Sequence, residues 1–367
     1  MNSLPYLNGS CVEGGNPLQL SFRWYGADDP VTLDKIRQIP GMYGIVSAIY
    51  DVPLGDVWPL DKIELLKREV NRHGLALEVI ESVPVHEEIK LGLPIRDQYI
   101  KNYQDTLKNL AKAGIKTVCY NFMPVFDWTR TTLTKRLEDG SFTLSYTHDD
   151  ILKMDPTSGE LDLPGWATDY TPEKLKALLK AYAELNEDGL WENLTYFLEG
   201  IIPVAESLGI KMAIHPDDPP WSIFGLPRIV KNKEDLDRVI KIIDSPSNGL
   251  AICTGSLGAD PNNDMVEIIG HFSSVNRLNF LHMRNVLTYG NRNFDEVAHP
   301  SEYGSLDMYA IMKAAISNGF DGPFRPDHGR MIWGETGKPG YGLFDRALGA
   351  TYLHGLKEAI QKELSNK

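Results

Sequence analysis

Short apolar segments rich in β-branched and aromatic residues alternate with longer segments of helical periodicity along nearly the whole chain. Short apolar runs are typical of buried strands, and apolar residues three and four positions apart are typical of amphipathic helices. Strands are predicted at Leu20–Tyr25, Gly44–Tyr50, Ala76–Ser82, Lys116–Phe122, Lys211–His215, Gly249–Cys253, Arg277–Met283 and Phe324–Asp327. Helices are predicted at Thr32–Gln38, Leu60–Arg72, Asp97–Lys112, Leu190–Leu208, Lys233–Ile243, Asn263–Phe272, Leu306–Asn318 and Phe344–Lys362.

This strict alternation of strands and helices predicts an α/β fold with a parallel sheet, and eight strand–helix units are the number that closes a (β/α)8 TIM barrel. A doubly wound open sheet is the alternative. Its dinucleotide-binding form is disfavoured, because no Gly-x-Gly-x-x-Gly follows the first strand, where the chain reads Arg23-Trp24-Tyr25-Gly26. We therefore expect residues 1–367 to form one barrel domain.

A long insertion separates the fourth predicted strand from the fifth, at about residues 123–190. It shows little periodicity apart from one short helix predicted at Pro172–Glu184. Because it follows a barrel strand, it is expected at the carboxyl-terminal mouth, where the active sites of such barrels lie. We expect it to act as a lid or as a contact with another subunit.

Composition excludes several classes of protein. The 367 residues carry a formal net charge of −13, which argues against nucleic-acid binding. No apolar run is long enough to span a membrane, and the first residues lack the basic and apolar pattern of a secretory signal. Cys11, Cys119 and Cys253 are too few for a disulfide framework in a chain of this size, so a cytoplasmic location is expected.

Potential metal ligands stand at the carboxyl ends of the last four predicted strands: His215, Cys253, His282 and Asp327. Each alone has an ordinary structural explanation, such as a buried thiol or a helix cap. Together, at the converging ends of adjacent barrel strands, two imidazoles, a thiolate and a carboxylate indicate a divalent transition-metal site. The softness of the thiolate alone favours zinc or iron.

Three stretches are similar to the mannonate dehydratases of bacteria, a branch of the xylose-isomerase-like barrels. They are Phe22-Arg23-Trp24-Tyr25-Gly26, Ala213-Ile214-His215-Pro216-Asp217-Asp218 and Arg325-Pro326-Asp327-His328-Gly329-Arg330, and the resemblance runs from about Leu20 to Gly355. It implies dehydration of D-mannonate to 2-keto-3-deoxy-D-gluconate in hexuronate (glucuronate) breakdown. It also implies Mn²⁺ or Fe²⁺, with Zn²⁺ less expected, and maps the family's ligands onto His215, Cys253, His282 and Asp327.

Three residues are candidates for catalysis. His328 follows a proposed ligand directly and has a side chain that titrates near neutrality, so it is the first candidate for proton transfer. On a strand it would face away from its neighbour, unless the chain turns there. Tyr341, in a glycine-flanked loop, is a candidate acid, and Arg284 is a candidate to neutralise charge on a carboxylate.

Further residues are expected around the substrate. Arg23 is a second candidate for the carboxylate, and Trp24 and His299 are candidate substrate contacts. Asp217 and Asp218 are expected either to orient His215 or to cap the loop that they occupy.

Two other function classes fit the same barrel. A metal-dependent sugar isomerase or epimerase shares the enediol chemistry, but Cys253 is unusual for its carboxylate-rich metal sites. A zinc hydrolase or an endonuclease-like barrel needs further His and Glu ligands and a basic groove, which the sequence does not provide. We expect a small sugar acid as substrate, no nucleic-acid or membrane partner, and a homo-oligomer.

Overall fold

The computed structural model describes residues 18–158 and 170–366. These residues form strands in the following order: β1 Ser21–Arg23, β2 Gly44–Ser47, β3 Ala76–Glu81, β4 Thr117–Tyr120, β5 Thr132–Arg136, β6 Phe142–Tyr146, β7 Lys211–Ile214, β8 Asn248–Cys253, β9 Leu278–Met283, β10 Asn285–Thr288, β11 Phe294–Val297 and β12 Phe324–Pro326. The barrel strands begin and end within or close to the predicted ranges.

Eight of these strands form one parallel sheet in the order β1-β2-β3-β4-β7-β8-β9-β12. Leu20, just before β1, bridges to Phe324 in β12, so that the first and last strands meet and the sheet closes. The predicted (β/α)8 barrel is therefore confirmed. The assignment of residues 1–367 to a single domain stays a prediction.

The helices that connect the barrel strands pack around the outside of this sheet, and further helices lie in the insertion and directly after β8. They are α1 Leu33–Arg37, α2 Leu60–Arg72, α3 Glu87–Lys90, α4 Arg96–Lys112, α5 His148–Ile151, α6 Pro172–Tyr182, α7 Glu187–Ser207, α8 Lys233–Ile242, α9 Thr254–Leu257, α10 Met265–Ser274, α11 Met308–Ser317 and α12 Phe344–Ser365. Helix α7 shows why they pack there, because its apolar residues Leu194, Phe197 and Ile201 are buried against the barrel. Its first turn is capped by the side chain of Asn186.

The floor of the barrel is a small apolar layer inside the strands. It consists of Val46, Val79, Cys119, Ala213, Ala251 and Phe280. Because this layer fills the barrel below, polar side chains at the carboxyl ends of the strands are left facing a space above it.

The insertion contains more regular structure than its sequence indicated. Strands β5 and β6 form an antiparallel hairpin, and β10 and β11 form a second one between β9 and α11. The two hairpins join into one sheet in the order β10-β11-β6-β5, which we call the small sheet. The strands of the small sheet were not predicted. In β6, for example, polar Thr143 and Ser145 are buried together with apolar residues, so the sequence does not show the alternation typical of a strand with one buried face. Helix α6, in contrast, begins at the predicted Pro172.

Within the described ranges, no helix combines the length and the apolar character that crossing a membrane requires.

Candidate active site

A cavity of about 260 Å³ lies at the carboxyl ends of the barrel strands. Its wall includes residues at or just after the ends of β1, β3, β4, β7 and β12, namely Arg23, Glu81, Tyr120, His215, Arg325 and Asp327. The insertion contributes Trp128, and the loop before α12 contributes Lys338 and Tyr341. This is the end of a TIM barrel at which catalytic residues are found.

The four residues expected as metal ligands lie together beside this cavity. One potential ligand atom from each of His215, Cys253 and His282 lies within 4.8 Å of the other two. The carboxylate of Asp327 approaches the cluster, with Oδ2 3.4 Å from Cys253 Sγ and Oδ1 3.8 Å from His282 Nδ1. Strand register explains part of this, because Cys253 on β8 lies directly opposite His282 on β9.

The chemistry of this cluster fits a metal ion. His282 is fully buried, and neither of its ring nitrogens makes a hydrogen bond to any part of the chain that the structure describes. Burial, together with the charge of Arg325, lowers the pKa of His282 well below its usual range, so the ring is neutral. A buried neutral imidazole with free nitrogens is a typical metal ligand.

The electrostatics of His215 also favour a cation. Burial by itself lowers the pKa of His215, but Cys253, Asp327 and Glu81 together raise it to about 9. The negative groups that hold a proton on His215 would equally attract a metal, which would displace that proton on binding. His215 Nδ1 lies 2.7 Å from the Pro216 carbonyl, which leaves Nε2 available as the ligand atom.

A second group of potential ligands shares His282 with the first. It consists of Glu81, Cys119 and His282, and its ligand atoms also lie within 4.8 Å of one another. Burial raises the pKa of the Cys119 thiol well above its usual range, which disfavours the thiolate form that binds metals. The Asp327 carboxylate also approaches the group with Cys253 and adds a fourth potential ligand, so that group is the better candidate.

His328 and Tyr341 face the same cavity and contact each other. Strand β12 ends at Pro326, so the alternation of a strand no longer applies, and both Asp327 and His328 line the cavity. His328 Nε2 lies 2.9 Å from the Tyr341 hydroxyl. The ring of Trp128 packs 4.9 Å from that of His328, which brings part of the insertion directly to the site.

Behind His328 lies a buried network of opposite charges. Arg130 contacts Asp218 through Nη1 at 2.8 Å and Glu296 through Nη2 at 2.7 Å. Arg284 contacts Asp218 through Nη2 at 2.6 Å and also pairs with Glu296. Although burial raises the pKa of Glu296, Arg284, His328 and Arg130 together lower it to about 2, so the carboxylate is ionised.

Arg284 occupies a different place from the one expected. It is not among the residues lining the cavity, and its guanidinium is engaged by Asp218, Glu296 and Asp327, with Nε 2.9 Å from Asp327 Oδ2. Its charge is thus already balanced by the protein's own carboxylates, which leaves it poorly suited to receive substrate.

Trp24 and His299 are also absent from the cavity wall. Trp24 belongs to the main hydrophobic core. His299 is buried, and its ring packs so closely on Gly349 of α12 that a Cβ there would collide with it. Both side chains are buried in packing contacts and neither lines the cavity, so the geometry does not favour the substrate contacts that we expected of them.

The two aspartates after His215 have separate roles. Asp217 accepts hydrogen bonds from the backbone N–H groups of Ile229 and Val230, at 2.6 and 2.8 Å, and so fastens its loop. Asp218 belongs to the charge network and accepts a further bond from Ser256 Oγ at 3.0 Å. Among the described residues, neither carboxylate makes a hydrogen bond or an ion pair with the His215 ring.

Several residues of the site were not singled out by the sequence. Arg325 contacts Asp327 through Nη1 at 2.7 Å and Glu81 through Nη2 at 3.0 Å. Both Arg325 and Glu81 stand at the ends of predicted strands, which is a signal that could have found them. Arg130 and Glu296 belong to the region of the small sheet, whose strands were not predicted, so no comparable signal existed.

The fold defines a class of protein first. A xylose isomerase-like TIM barrel protein from Mycobacterium smegmatis matches with a TM-score of 0.51 and 16% identity, covering 94% of this chain and 97% of the other. At this low identity the match shows the fold alone. The chain therefore has the fold of a (β/α)8 barrel, with a cluster of potential metal ligands at its carboxyl-terminal mouth.

Closer relatives identify the family. The family model for D-mannonate dehydratase (UxuA) matches residues 18–367. Mannonate dehydratase 2 of Halalkalibacterium halodurans is 60% identical over 343 residues, which are 94% of this chain and 99% of that protein. The crystal structure of mannonate dehydratase from Streptococcus suis serotype 2 matches with a TM-score of 0.89 at 49% identity, covering 95% of this chain and 96% of the other. The chain belongs to the mannonate dehydratase family, whose members are metal-dependent hydro-lyases.

Proposed function

We propose that this chain dehydrates D-mannonate to 2-keto-3-deoxy-D-gluconate, as a carbon–oxygen lyase of glucuronate breakdown. The reaction removes the proton from C2, beside the carboxylate, and expels the hydroxyl group from C3. The observation that carries the proposal is that the cluster of His215, Cys253, His282 and Asp327 adjoins the cavity into which the His328–Tyr341 pair faces.

His215, Cys253, His282 and Asp327 would hold the metal, for which we propose Mn²⁺ first, then Fe²⁺, with Zn²⁺ less favoured. A divalent metal supplies Lewis-acid stabilisation for the negative charge that develops next to the carboxylate when C2 loses its proton. The neutral His282 ring and the ionised Asp327 carboxylate are suitable donors. Burial raises the pKa of Asp327, but Arg325 and other positive neighbours outweigh this effect and hold the pKa well below its usual range.

Arg23 would bind the substrate carboxylate. Its guanidinium lines the cavity with only 7% of the residue exposed, and Nη1 makes no hydrogen bond within the described residues. A buried unpaired donor with a permanent charge is suited to a carboxylate. Lys338, whose Nζ lies 4.1 Å from the ring centre of Tyr25, adds positive charge at the mouth. Together they offset the net charge of −13 where the anion enters.

His328 and Tyr341 would move the protons. Nε2 of His328 takes the proton from C2, and the Tyr341 hydroxyl protonates the departing C3 oxygen, which leaves as water. The electron pair of the broken C2–H bond forms the C2=C3 bond of an enol, which becomes the 2-keto-3-deoxy acid when C3 gains a proton and the C2 hydroxyl loses one. The imidazolium and the phenolate are restored when His328 returns a proton to Tyr341 across their 2.9 Å contact.

We further propose a cytoplasmic homo-oligomer. The described cysteines Cys119 and Cys253 are free thiols, and a cysteine ligand requires a compartment that keeps it reduced. Residues 123–190 would serve as a lid or as a subunit contact. Trp128 against His328 supports the lid, whereas Leu152, 72% exposed, supports the contact. Light scattering of the purified protein tests the assembly, which a monomeric mass would overturn, and cell fractionation tests the location.

The function is tested by incubating the purified protein with D-mannonate and measuring the 2-keto-3-deoxy acid. We expect turnover that is lost with a chelator and restored by Mn²⁺ or Fe²⁺. An isomerised or epimerised sugar, with no 2-keto-3-deoxy product, would favour the sugar isomerase alternative. Turnover that persists in metal-free protein would contradict the proposed metal site.

A further inference from the structure

Glu296 lies outside the barrel, yet it contacts a proposed catalytic side chain. It belongs to β11 of the small sheet and is only 3% exposed. Its two carboxylate oxygens lie 2.9 and 2.8 Å from His328 Nδ1, on the side of the ring opposite the cavity. A carboxylate in this position can decide which ring nitrogen carries the hydrogen.

The surroundings of Glu296 keep its carboxylate ionised and fixed. Arg130 Nε and Nη2 lie 2.9 and 2.7 Å from its Oε1, and Arg284 pairs with the same oxygen. Thr143 Oγ1 donates a hydrogen bond of 2.6 Å to the backbone carbonyl of Glu296, which holds the strand itself. Because a buried ion pair alone adds little stability over apolar packing, so many charges around one carboxylate point to a positional role.

An ionised carboxylate can only accept hydrogen bonds, so the hydrogen of a neutral His328 ring lies on Nδ1. Arg284 Nη1 also lies 3.4 Å from Nδ1, but this contact is longer than either contact to Glu296 and beyond the usual range for a hydrogen bond. Nε2 is then left without a hydrogen and carries one lone pair. In the absence of substrate this lone pair accepts a hydrogen bond from the Tyr341 hydroxyl at 2.9 Å, and it becomes available to the C2 proton when that hydroxyl turns to the C3 oxygen.

We propose that Glu296 is a positioning residue for the dehydration, which fixes His328 with its hydrogen on Nδ1 and its lone pair on Nε2. Glu296 itself does not touch the substrate. It acts through His328, so that the base is already in the correct tautomer when the C2 proton comes within reach. This inference rests on the proposed function, because it assigns His328 as the base of that reaction.

The kinetic test compares Glu296→Gln with Asp295→Asn. Asp295 is the neighbour of Glu296 on β11 and is equally buried, but it pairs with Lys135 at 2.7 Å and with the Tyr289 hydroxyl at 2.5 Å, away from His328. Both substitutions remove one negative charge at nearly constant size. We expect Glu296→Gln to lower kcat by about 10²–10⁴-fold with KM within about 3-fold and metal content unchanged, because its amide donates to Nδ1 and favours the wrong tautomer. Asp295→Asn should leave kcat unchanged.

Glu296→Asp provides a rescue, because it keeps the negative acceptor on a shorter side chain. We expect its kcat to lie between those of the wild type and Glu296→Gln. Equal kcat for Glu296→Gln and Asp295→Asn, or a loss explained entirely by metal content or KM, would overturn the proposal.

A spectroscopic measurement keeps this test independent of the substrate. In protein labelled with ¹⁵N-histidine and loaded with diamagnetic Zn²⁺, the His328 signals, assigned with His328→Gln, should show a protonated Nδ1 in the wild type. In Glu296→Gln the hydrogen should move to Nε2. A wild-type ring with its hydrogen on Nε2 would overturn the proposal even if D-mannonate were not the substrate, whereas absent D-mannonate turnover with the expected tautomer would overturn only the proposed function.

Discussion

The barrel strand ends and the small sheet meet at one cavity but contribute different chemistry. From the strand ends come potential metal ligands such as His215, Cys253 and Asp327, and the cavity wall includes Arg23 and Arg325. The region of the small sheet contributes Arg130 and Glu296, which lie behind His328 and make ion pairs with other protein groups. The barrel thus supplies groups that face a ligand, and the small sheet supplies charges that hold such groups in place.

The most severe test of this division concerns the cavity side. Replacing Tyr341 by phenylalanine removes the proposed acid but keeps the ring that packs at 4.9 Å on Tyr25. We expect kcat to fall by about 10²–10⁴-fold, the usual contribution of a general acid, while KM and metal content stay near those of the wild type. Steady-state kinetics with D-mannonate measure this, and a Tyr341→Phe protein with full kcat would remove Tyr341 from the mechanism.

The acid stability of the small sheet gives the next largest effect. Because the folded-state pKa of Glu296 is lowered from 4.5 to about 2, its ionisation stabilises the fold above pH 4.5, and this stability is lost as the pH falls to about 2. The shift corresponds to a free energy of the order of 3 kcal/mol. Denaturant unfolding at several pH values should show a shallower acid dependence for Glu296→Gln than for the wild type. Identical slopes would mean that Glu296 is not held ionised by Arg130 and Arg284.

A substitution at Arg23 distinguishes binding from catalysis. Replacing Arg23 by glutamine removes a charge-assisted contact worth about 1.5–3 kcal/mol, so we expect KM for D-mannonate to rise by about 10–100-fold. Arg136→Gln, on the exposed edge of the small sheet, is the matched control and should leave KM unchanged. If Arg23→Gln lowers only kcat, the carboxylate is bound elsewhere.

The smallest effect is expected on the outer face of the small sheet. Lys135 pairs with Asp295 at 2.7 Å, but its side chain is 43% exposed. Lys135→Met should leave kcat unchanged and lower the free energy of unfolding by about 1–2 kcal/mol, because Lys135 is half exposed whereas the Asp295 carboxylate is buried and keeps the Tyr289 hydroxyl as a partner. A large loss of kcat would show that the outer face of the small sheet also contributes to catalysis, and would contradict a role limited to the charges behind His328.

The side chains at the barrel strand ends could be predicted from the sequence, whereas those of the small sheet could not. The carboxyl ends of all the barrel strands lie at the same end of the barrel. The positions of His215, Cys253, His282 and Asp327 at successive strand ends were therefore enough to predict that these side chains lie close together. Glu296 and Arg130, in contrast, are 166 residues apart in the sequence and meet at the small sheet. Strand β6 of this sheet buries polar as well as apolar residues, so its sequence lacks the alternation that would predict a strand, and the contact could not be predicted. The ion pairs of Arg284 with Asp218, Glu296 and Asp327 could not be foreseen, because a sequence does not show which carboxylates surround a guanidinium.

The central claim is that the metal is held by the group containing Cys253 rather than by the group containing Cys119, and the most direct measurement is metal stoichiometry. Elemental analysis of purified Cys253→Ser and Cys119→Ser proteins compares two buried thiols that belong to different groups of potential ligands. We predict that Cys253→Ser loses most of its bound metal and that Cys119→Ser keeps close to one metal per chain. Full metal content in Cys253→Ser, or its loss in Cys119→Ser alone, would contradict this account.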